Sequence, residues 1–233
     1  MKVLVVLTSH DQLAGTGKKT GFWLETFAAP YYVFREARAD ITIASPKGGE
    51  PPMDPRSNQP GFRTHDTRRF ENDAAAAQAL AHTVRLSEVD ADEFDGAFFP
   101  GGHGVLWDLT NDRDAHRLIA NMLAVQRPVA LGCHAPGILI HVRAPNGDPI
   151  AKGRTVTGFT NSEEADLHLV DALPYLLEDE LKKQGAIFSM KANGAAYVVQ
   201  DGFLITGQNP ASSKAAAEAL LSLLQAEREV AAA

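Results

Sequence analysis

One cysteine lies in a setting suited to covalent chemistry. Cys133 and His134 stand between two apolar runs in the segment RPVALGCHAPGILI, residues 127–140. The pattern predicts a strand over 129–131, a sharp turn with the thiol at its apex, and then a helix, because Pro136 suits a first helical turn. A thiol near a helix N-terminus is stabilised as the thiolate, which is the nucleophilic form of cysteine. The arrangement resembles the nucleophile elbow of hydrolases, with sulfur in place of oxygen.

A free cysteine is often no more than a small buried core residue. The sequence Gly-Cys-His-Ala-Pro-Gly at 132–137 favours the nucleophile instead. Glycine at position 132 permits a close or strained path of the backbone next to the thiol. We therefore take Cys133 as the candidate nucleophile.

Composition excludes several classes of protein. The 233 residues carry 22 basic and 29 acidic side chains, a formal net charge of −7. This balance argues against nucleic acid or an anionic membrane as a main partner, since both attract basic patches. A single cysteine cannot form an internal disulfide and fits a reducing compartment. The apolar run in residues 1–12 is too short for a signal peptide, and no run has membrane-spanning length, so we expect a cytoplasmic protein.

Strands and helices alternate along the chain, which predicts one α/β domain over residues 1–233. Strands are predicted at 3–7, 41–44, 96–99, 129–131, 154–157, 187–190, 197–200 and 204–206, the last two forming a hairpin. Helices are predicted at 22–37 with a break at Pro30, at 73–81, 113–125, 174–184 and 212–227, and from Glu163 with Ser162 as its cap. Residues 45–62, rich in proline and glycine, are predicted to be a surface excursion.

The predicted sheet implies where a ligand would bind. In an open, mostly parallel sheet, ligands lie outside the carboxyl ends of the strands. This rule places four loops at one rim, those at 8–21, 100–104, 132–137 and 158–164. Cys133 is expected among them.

Several motifs in order along the chain resemble one known family. They are LTSHD at 7–11, KKTGFWLETFAAPYYVF at 18–34, ASPKGGEPPMDP at 44–55, FFPGGHG at 98–104, GCHAPG at 132–137 and VTGFTNSEE at 156–164. Together they resemble the ThiJ/PfpI superfamily, and within it the glutathione-independent glyoxalase (glyoxalase III) and heat-shock-protein-like branch. The resemblance implies a flavodoxin-like, class I glutamine-amidotransferase-like fold, which is a three-layer α/β sandwich with a mostly parallel sheet.

The resemblance also implies a catalytic constellation. Cys133 matches the nucleophile and His134 its neighbour, while Glu25 matches the carboxylic acid that hydrogen-bonds the sulfur. Glu164 matches the acidic residue that orients the histidine, although a slip of one residue would put Glu163 in that place. The sequence has Ala135-Pro136 where the commoner pattern is Cys-His-Gly-Pro.

Elementary chemistry gives these residues consistent roles. A glutamate beside a thiolate has a raised pKa and suits proton transfer, so Glu25 is a candidate proton shuttle. The N–H groups of Gly101, Gly102 and His134 are candidates for an oxyanion hole, with His103 as a further substrate-binding residue near the pocket. No HExxH or CxxC spacing is present, and neither a metal nor a cofactor is expected.

The leading hypothesis is a glyoxalase that acts without glutathione on a small reactive aldehyde. Methylglyoxal or glyoxal would form a hemithioacetal with Cys133, and proton transfer through Glu25 would lead to lactate or glycolate. A second hypothesis uses the same nucleophile in a cysteine-dependent amidase, peptidase or protein deglycase. A third is a redox-sensitive holdase chaperone of the stress response, because a reactive thiol is also prone to oxidation. A homodimer is expected on general grounds.

Overall fold

A seven-stranded sheet forms the centre of the computed structural model, which describes residues 1–232. The strands of the chain are β1 (Lys2–Val6), β2 (Gln12–Leu13), β3 (Lys18–Lys19), β4 (Asp40–Ser45), β5 (Val84–Arg85), β6 (Gly96–Phe99), β7 (Val129–Gly132), β8 (Thr155–Val156), β9 (Ile187–Phe188), β10 (Val198–Asp201) and β11 (Leu204–Gly207). The central sheet has the order β10-β11-β7-β6-β1-β4-β5, and only the β10–β11 hairpin is antiparallel. The pairs β2–β3 and β8–β9 lie outside it.

Helices cover both faces of this sheet. They are α1 (Leu24–Glu36), α2 (His65–Glu71), α3 (Ala74–Ala81), α4 (Arg113–Ala124), α5 (Asn161–Asp166), α6 (Leu177–Lys183) and α7 (Ser213–Ala232). Alternate residues of β1 point to opposite sides: Val3 and Val5 join a core with α1 and α7, while Leu4 and Val6 join a core with α4. Both faces are apolar because both are buried. The predicted mostly parallel three-layer α/β sandwich is confirmed.

Two local predictions are wrong. Pro30 does not break α1, because ten of the thirteen residues of this helix are buried and tertiary packing outweighs the missing hydrogen bond. Helix α5 begins at Asn161 with Thr160 as its cap, not Ser162, since Thr160 and Glu163 form a reciprocal capping box. The helix predicted after Cys133 is present as a 3₁₀ helix over Ala135–Ile140, with Pro136 in its first turn.

Three strands of the sheet end at the same edge and so define the site. The register pairs Phe99 of β6 with Leu131 of β7, and Gly132 of β7 with Gly207 of β11. The loops that follow these strands therefore emerge side by side. Cys133 is the first residue beyond this edge, at the middle of the sheet.

The helices within residues 1–232 differ from membrane-spanning helices in length and composition. None of these helices combines the length and the apolar character that a bilayer span requires.

Candidate active site

The backbone at Cys133 is held in a strained conformation. Its φ angle is +57°, in the left-handed region that costs a non-glycine residue about 1–2 kcal/mol. Two hydrogen bonds maintain this turn: the Cys133 N–H donates to the Gly207 carbonyl at 2.8 Å, and the Phe159 N–H donates to the Cys133 carbonyl at 2.9 Å. Strain retained in this way is typical of functional sites. The predicted elbow is present, with the thiol at its apex.

The thiol, a histidine and a glutamate are joined in sequence by two hydrogen bonds. The Cys133 Sγ lies 3.2 Å from Nδ1 of His134, and Nε2 of His134 lies 2.6 Å from Oε1 of Glu164. All three side chains are at most 2% exposed. A carboxylate on the far nitrogen fixes the tautomer and orientation of an imidazole, so these side chains have the geometry of a nucleophile–base–acid triad.

The adjacent Glu163 has a different set of contacts. Its Oε1 accepts hydrogen bonds from Nδ2 of Asn209 and from the Gly194 N–H, and its Oε2 accepts from the backbone and hydroxyl of Thr160. Both oxygens are therefore committed to loop packing. The geometry selects Glu164, not Glu163, as the partner of His134.

His103 lines the cavity, and both of its ring nitrogens have protein partners. Its Nε2 lies 3.1 Å from Oε2 of Glu164, and its Nδ1 lies 3.2 Å from Nη2 of Arg56. The ring lies against the His134 ring, with 4.1 Å between centroids. Because both nitrogens are engaged by protein groups, hydrogen bonding to a substrate is not available to this side chain, although it lines the cavity.

Burial and charge set the pKa values of the triad. Burial alone would lower the pKa of His134, but the Cys133 sulfur and the Glu164 carboxylate raise this pKa to about 10. Burial acts to raise the pKa of Glu164, but the two imidazoles hold it well below its ordinary range. Burial also raises the pKa of the Cys133 thiol, while His134 opposes that increase. Desolvation at this depth thus acts against the predicted depression of the thiol pKa, and His134 acts in favour of it.

A cavity of about 510 Å³ opens onto the thiol. Its lining includes predicted residues from three of the four rim loops, Gly102, His103, Cys133, His134, Phe159 and Glu163, together with Glu25 from α1. The fourth loop, 8–21, is absent from this lining, because Thr8 and Ser9 bind the carboxylate of Asp108 elsewhere on the edge. Residues 61–64, 193–194 and 209–211 take its place.

Glu25 enters the cavity from the first turn of α1. Its carboxylate accepts a short hydrogen bond from the Thr64 hydroxyl, whereas the resemblance implied the Cys133 sulfur as its partner. Burial, opposed by the Thr64 hydrogen bond, raises the pKa of Glu25 to about 7. A carboxyl group with a pKa near the working pH is suited to both accept and donate a proton.

Two glycines bring backbone next to the thiol. A Cβ added at Gly101 would lie 2.5 Å from the Cys133 Cβ, and Gly102 has a φ of +134° with its Cα against the backbone of residues 21–23. Among the hydrogen bonds of residues 1–232, the N–H groups of Gly102 and His134 have no acceptor. Gly102 and His134 line the cavity that opens onto the thiol, so their N–H groups stay the candidates for an oxyanion hole.

One group of side chains has a spacing that a metal ion could bridge. The ligand atoms of His103, His134 and Glu164 lie within 4.8 Å of one another. The same atoms are joined by hydrogen bonds of 2.6 and 3.1 Å, with the carboxylate between two imidazoles. This chain of donors and acceptors satisfies the three side chains without an ion.

The comparison with family models decides the relationship suggested by the motifs. The model described as the DJ-1/PfpI family matches residues 21–223. The chain belongs to the DJ-1/PfpI family. The resemblance to the ThiJ/PfpI superfamily is thereby confirmed.

Relatives of this DJ-1/PfpI chain extend over nearly its whole length. "Glutathione-independent glyoxalase HSP31" of Saccharomyces cerevisiae is 31% identical over 225 residues, covering 93% of this chain and 94% of the relative. The solved glyoxalase III of Candida albicans is 30% identical with a TM-score of 0.88, covering 96% and 97% of the two chains. The solved Rapid Encystment Protein 24 KDa of Francisella tularensis is 36% identical with a TM-score of 0.91, covering 96% and 99%.

Sequence reasoning missed Arg56 and Thr64, which contact the predicted site residues His103 and Glu25, and Asp54, which binds Arg56. Asp54 and Arg56 lie in the segment 45–62, interpreted as a surface excursion, and Thr64 lies two residues beyond it. A signal was present for one of them: Asp54 belongs to the motif ASPKGGEPPMDP, and its side chain is fully buried. An acidic residue in a motif of small and apolar residues is a candidate for a buried ion pair.

Proposed function

We propose that this chain is a glutathione-independent glyoxalase that converts methylglyoxal or glyoxal to lactate or glycolate. One observation carries the proposal: Glu25, a carboxyl group with a pKa of about 7, shares a cavity with the strained Cys133 nucleophile. A hydrolase needs the nucleophile and its histidine, whereas an internal redox transfer on an aldehyde also needs a group that moves a carbon-bound proton. The two glyoxalase relatives support the same assignment.

The first step uses the thiol and its surroundings. The Cys133 sulfur adds to the aldehyde carbon, C1, and the thiol proton is transferred to the former carbonyl oxygen, giving a hemithioacetal. The N–H groups of Gly102 and His134 stabilise the negative charge that develops on that oxygen. His134, protonated at neutral pH and paired with Glu164, stabilises the sulfur as it loses its proton.

The second step uses Glu25. Its carboxylate takes the proton from C1 while the C2 oxygen gains a proton, giving an enediol, and Glu25 then returns the carbon-bound proton to C2 as the C1 hydroxyl loses its proton. C1 is thereby oxidised to a thioester while C2 is reduced to an alcohol. Attack of water on the thioester releases lactate and restores the thiol. No external oxidant or reductant takes part, because the electrons pass between two carbons of one molecule.

The alternatives make different demands on the thiol. A redox sensor requires a thiol with a low pKa and ready access. Oxidation of a thiol gives no role to a proton-transferring carboxyl group, whereas Glu25 lines the same cavity as Cys133, which favours the glyoxalase over the sensor. We further infer that the protein works in the cytoplasm, because a single unpaired cysteine fits a reducing compartment. The homodimer stays a prediction.

Lactate formation tests the proposal. Purified protein is incubated with methylglyoxal without glutathione, and D- and L-lactate are measured. We expect lactate from the wild-type chain and none above background from Cys133→Ala. Equal lactate from both would overturn the proposal, as would none from a folded wild-type protein.

A further inference from the structure

The Cys133–His134–Glu164 triad continues into a second, buried branch. Behind Glu164, the ring of His103 bridges the carboxylate oxygen Oε2 and the guanidinium of Arg56, at 3.1 and 3.2 Å. Arg56 in turn forms a bidentate ion pair with Asp54, whose two carboxylate oxygens accept hydrogen bonds from Nε and Nη2 of the arginine. Thr20 donates a further hydrogen bond to Asp54 at 3.0 Å. The branch thus runs from Glu164 through His103 and Arg56 to the buried carboxylate of Asp54.

The direction of these hydrogen bonds is fixed by chemistry. A guanidinium can only donate, so Nδ1 of His103 must accept, and the ring proton must be on Nε2. That proton is then donated to Oε2 of Glu164. The charged and titratable groups that face His103 are Arg56, Glu164 and His134, and burial together with the charge of His134 lowers the pKa of His103 to about 4. A neutral ring with one defined tautomer follows.

We propose that Arg56 and His103 are positioning residues that lock Glu164 in the orientation in which its other oxygen binds His134. Glu164 can hold His134 at 2.6 Å only while the plane of its carboxylate is fixed, and His103 fixes the second oxygen. Without Arg56, His103 is free to present an acceptor nitrogen to Glu164, which would repel the carboxylate. Arg56 is outside the cavity lining, so it acts on the reaction through the triad.

The experiment compares Arg56→Met with a matched control, Arg69→Met. Arg69 also forms an ion pair, with Glu36, and lies outside the cavity. The rate of alkylation by iodoacetamide at pH 7 reports on Cys133 alone, because it is the only cysteine. For Arg56→Met we expect the alkylation rate and the kcat for lactate formation to fall about tenfold, as is typical when a residue that orients a functional side chain is lost. We expect KM to stay within about twofold of wild type. Arg69→Met should keep the wild-type values.

A second pair of variants separates positioning from general destabilisation. His103→Gln can still donate to Glu164 and accept from Arg56, whereas His103→Phe can do neither. We expect the alkylation rate of His103→Gln to lie within about threefold of wild type and that of His103→Phe to fall at least tenfold. Thermal unfolding of each variant shows whether it is folded.

Two results would overturn the positioning role: wild-type alkylation and kcat in Arg56→Met, or the same loss in both His103 variants. The kcat readout rests on the proposed function, but the alkylation readout does not. A wild-type protein that forms no lactate, while alkylation follows the expected order, would reject the glyoxalase and leave the positioning role standing.

Discussion

Glu164 binds His134 and His103 with its two oxygens, at 2.6 and 3.1 Å, while its neighbour Glu163 binds neither. This division separates two adjacent carboxylates that the sequence alone leaves interchangeable. One is committed to the chemistry of the thiol and the other to the packing of the loops around it.

Substitution of the two glutamates should therefore give opposite results. In Glu164→Gln, the amide group offers a donor where an imidazole N–H needs an acceptor, and we expect kcat for lactate formation to fall about 1000-fold, as for other carboxylates that orient a catalytic histidine. In Glu163→Gln, we expect kcat within about tenfold of wild type and a free energy of unfolding lower by about 2 kcal/mol, since one buried oxygen acceptor is lost. A larger loss of kcat in Glu163→Gln than in Glu164→Gln would contradict this assignment.

The pH dependence should report Glu25. Its carboxylate form accepts the C1 proton, and its pKa is about 7, so kcat/KM should rise with pH and reach half its maximum near pH 7. The Thr64 hydrogen bond lowers this pKa. Its removal in Thr64→Val should shift the midpoint to higher pH, by about half a unit to one unit, whereas Thr64→Ser should keep it. Identical midpoints in Thr64→Val and wild type would show that another group governs the profile.

The raised pKa of Glu25 also has a consequence for stability. The native state binds this proton more tightly than the unfolded chain, whose ordinary value is 4.5, so the free energy of unfolding decreases as pH rises from about 4.5 to about 7. Glu25→Gln removes the penalty and should be more stable than wild type by about 1 kcal/mol at pH 8, after allowance for solvent screening. The difference should vanish near pH 4. Denaturant unfolding at both pH values measures it, and equal stability at pH 8 would argue against a partly buried, charged Glu25.

Gly101 should tolerate no side chain. A Cβ there would lie 2.5 Å from both the Cys133 Cβ and the Gly132 carbonyl oxygen. We expect Gly101→Ala to lower the free energy of unfolding by about 3 kcal/mol, because the strained elbow has no room to move away. At Gly61 an added Cβ meets nothing within 4 Å, so Gly61→Ala should change stability by less than about 0.5 kcal/mol. Equal effects of the two substitutions would contradict the close packing of Gly101 against the elbow.

The sequence predicted best those elements whose residues are buried through their whole length, because burial imposes a continuous apolar pattern on the sequence. The runs 96–99 and 129–131 are continuous and apolar because β6 and β7 are buried on both faces, and both were predicted within one residue. The elbow was predictable from the Gly-Cys-His-Ala-Pro-Gly sequence between two apolar runs, although the strained backbone conformation belongs to Cys133 and not to Gly132. The organisation of 1–233 as a single domain stays a prediction.

Tertiary contacts explain what the sequence did not disclose. Helix α2 has one buried residue, Thr67, and β5 has none, so neither shows an apolar period. The residues that complete the site, Arg56 and Thr64, lie in or beside a segment whose path depends on the buried Asp54 and not on local propensity. Their contacts join positions 39 and 47 residues apart, a separation at which no sequence spacing indicates a pair.

The most direct test of the central claim, that Glu25 makes the Cys133 thiol a glyoxalase, is lactate formation by Glu25→Gln measured beside alkylation of the same sample. We expect iodoacetamide to alkylate Cys133 at a rate within about threefold of wild type, while lactate from methylglyoxal falls at least 1000-fold, because an amide cannot accept the C1 proton. Lactate formed by Glu25→Gln at the wild-type rate would contradict the claim.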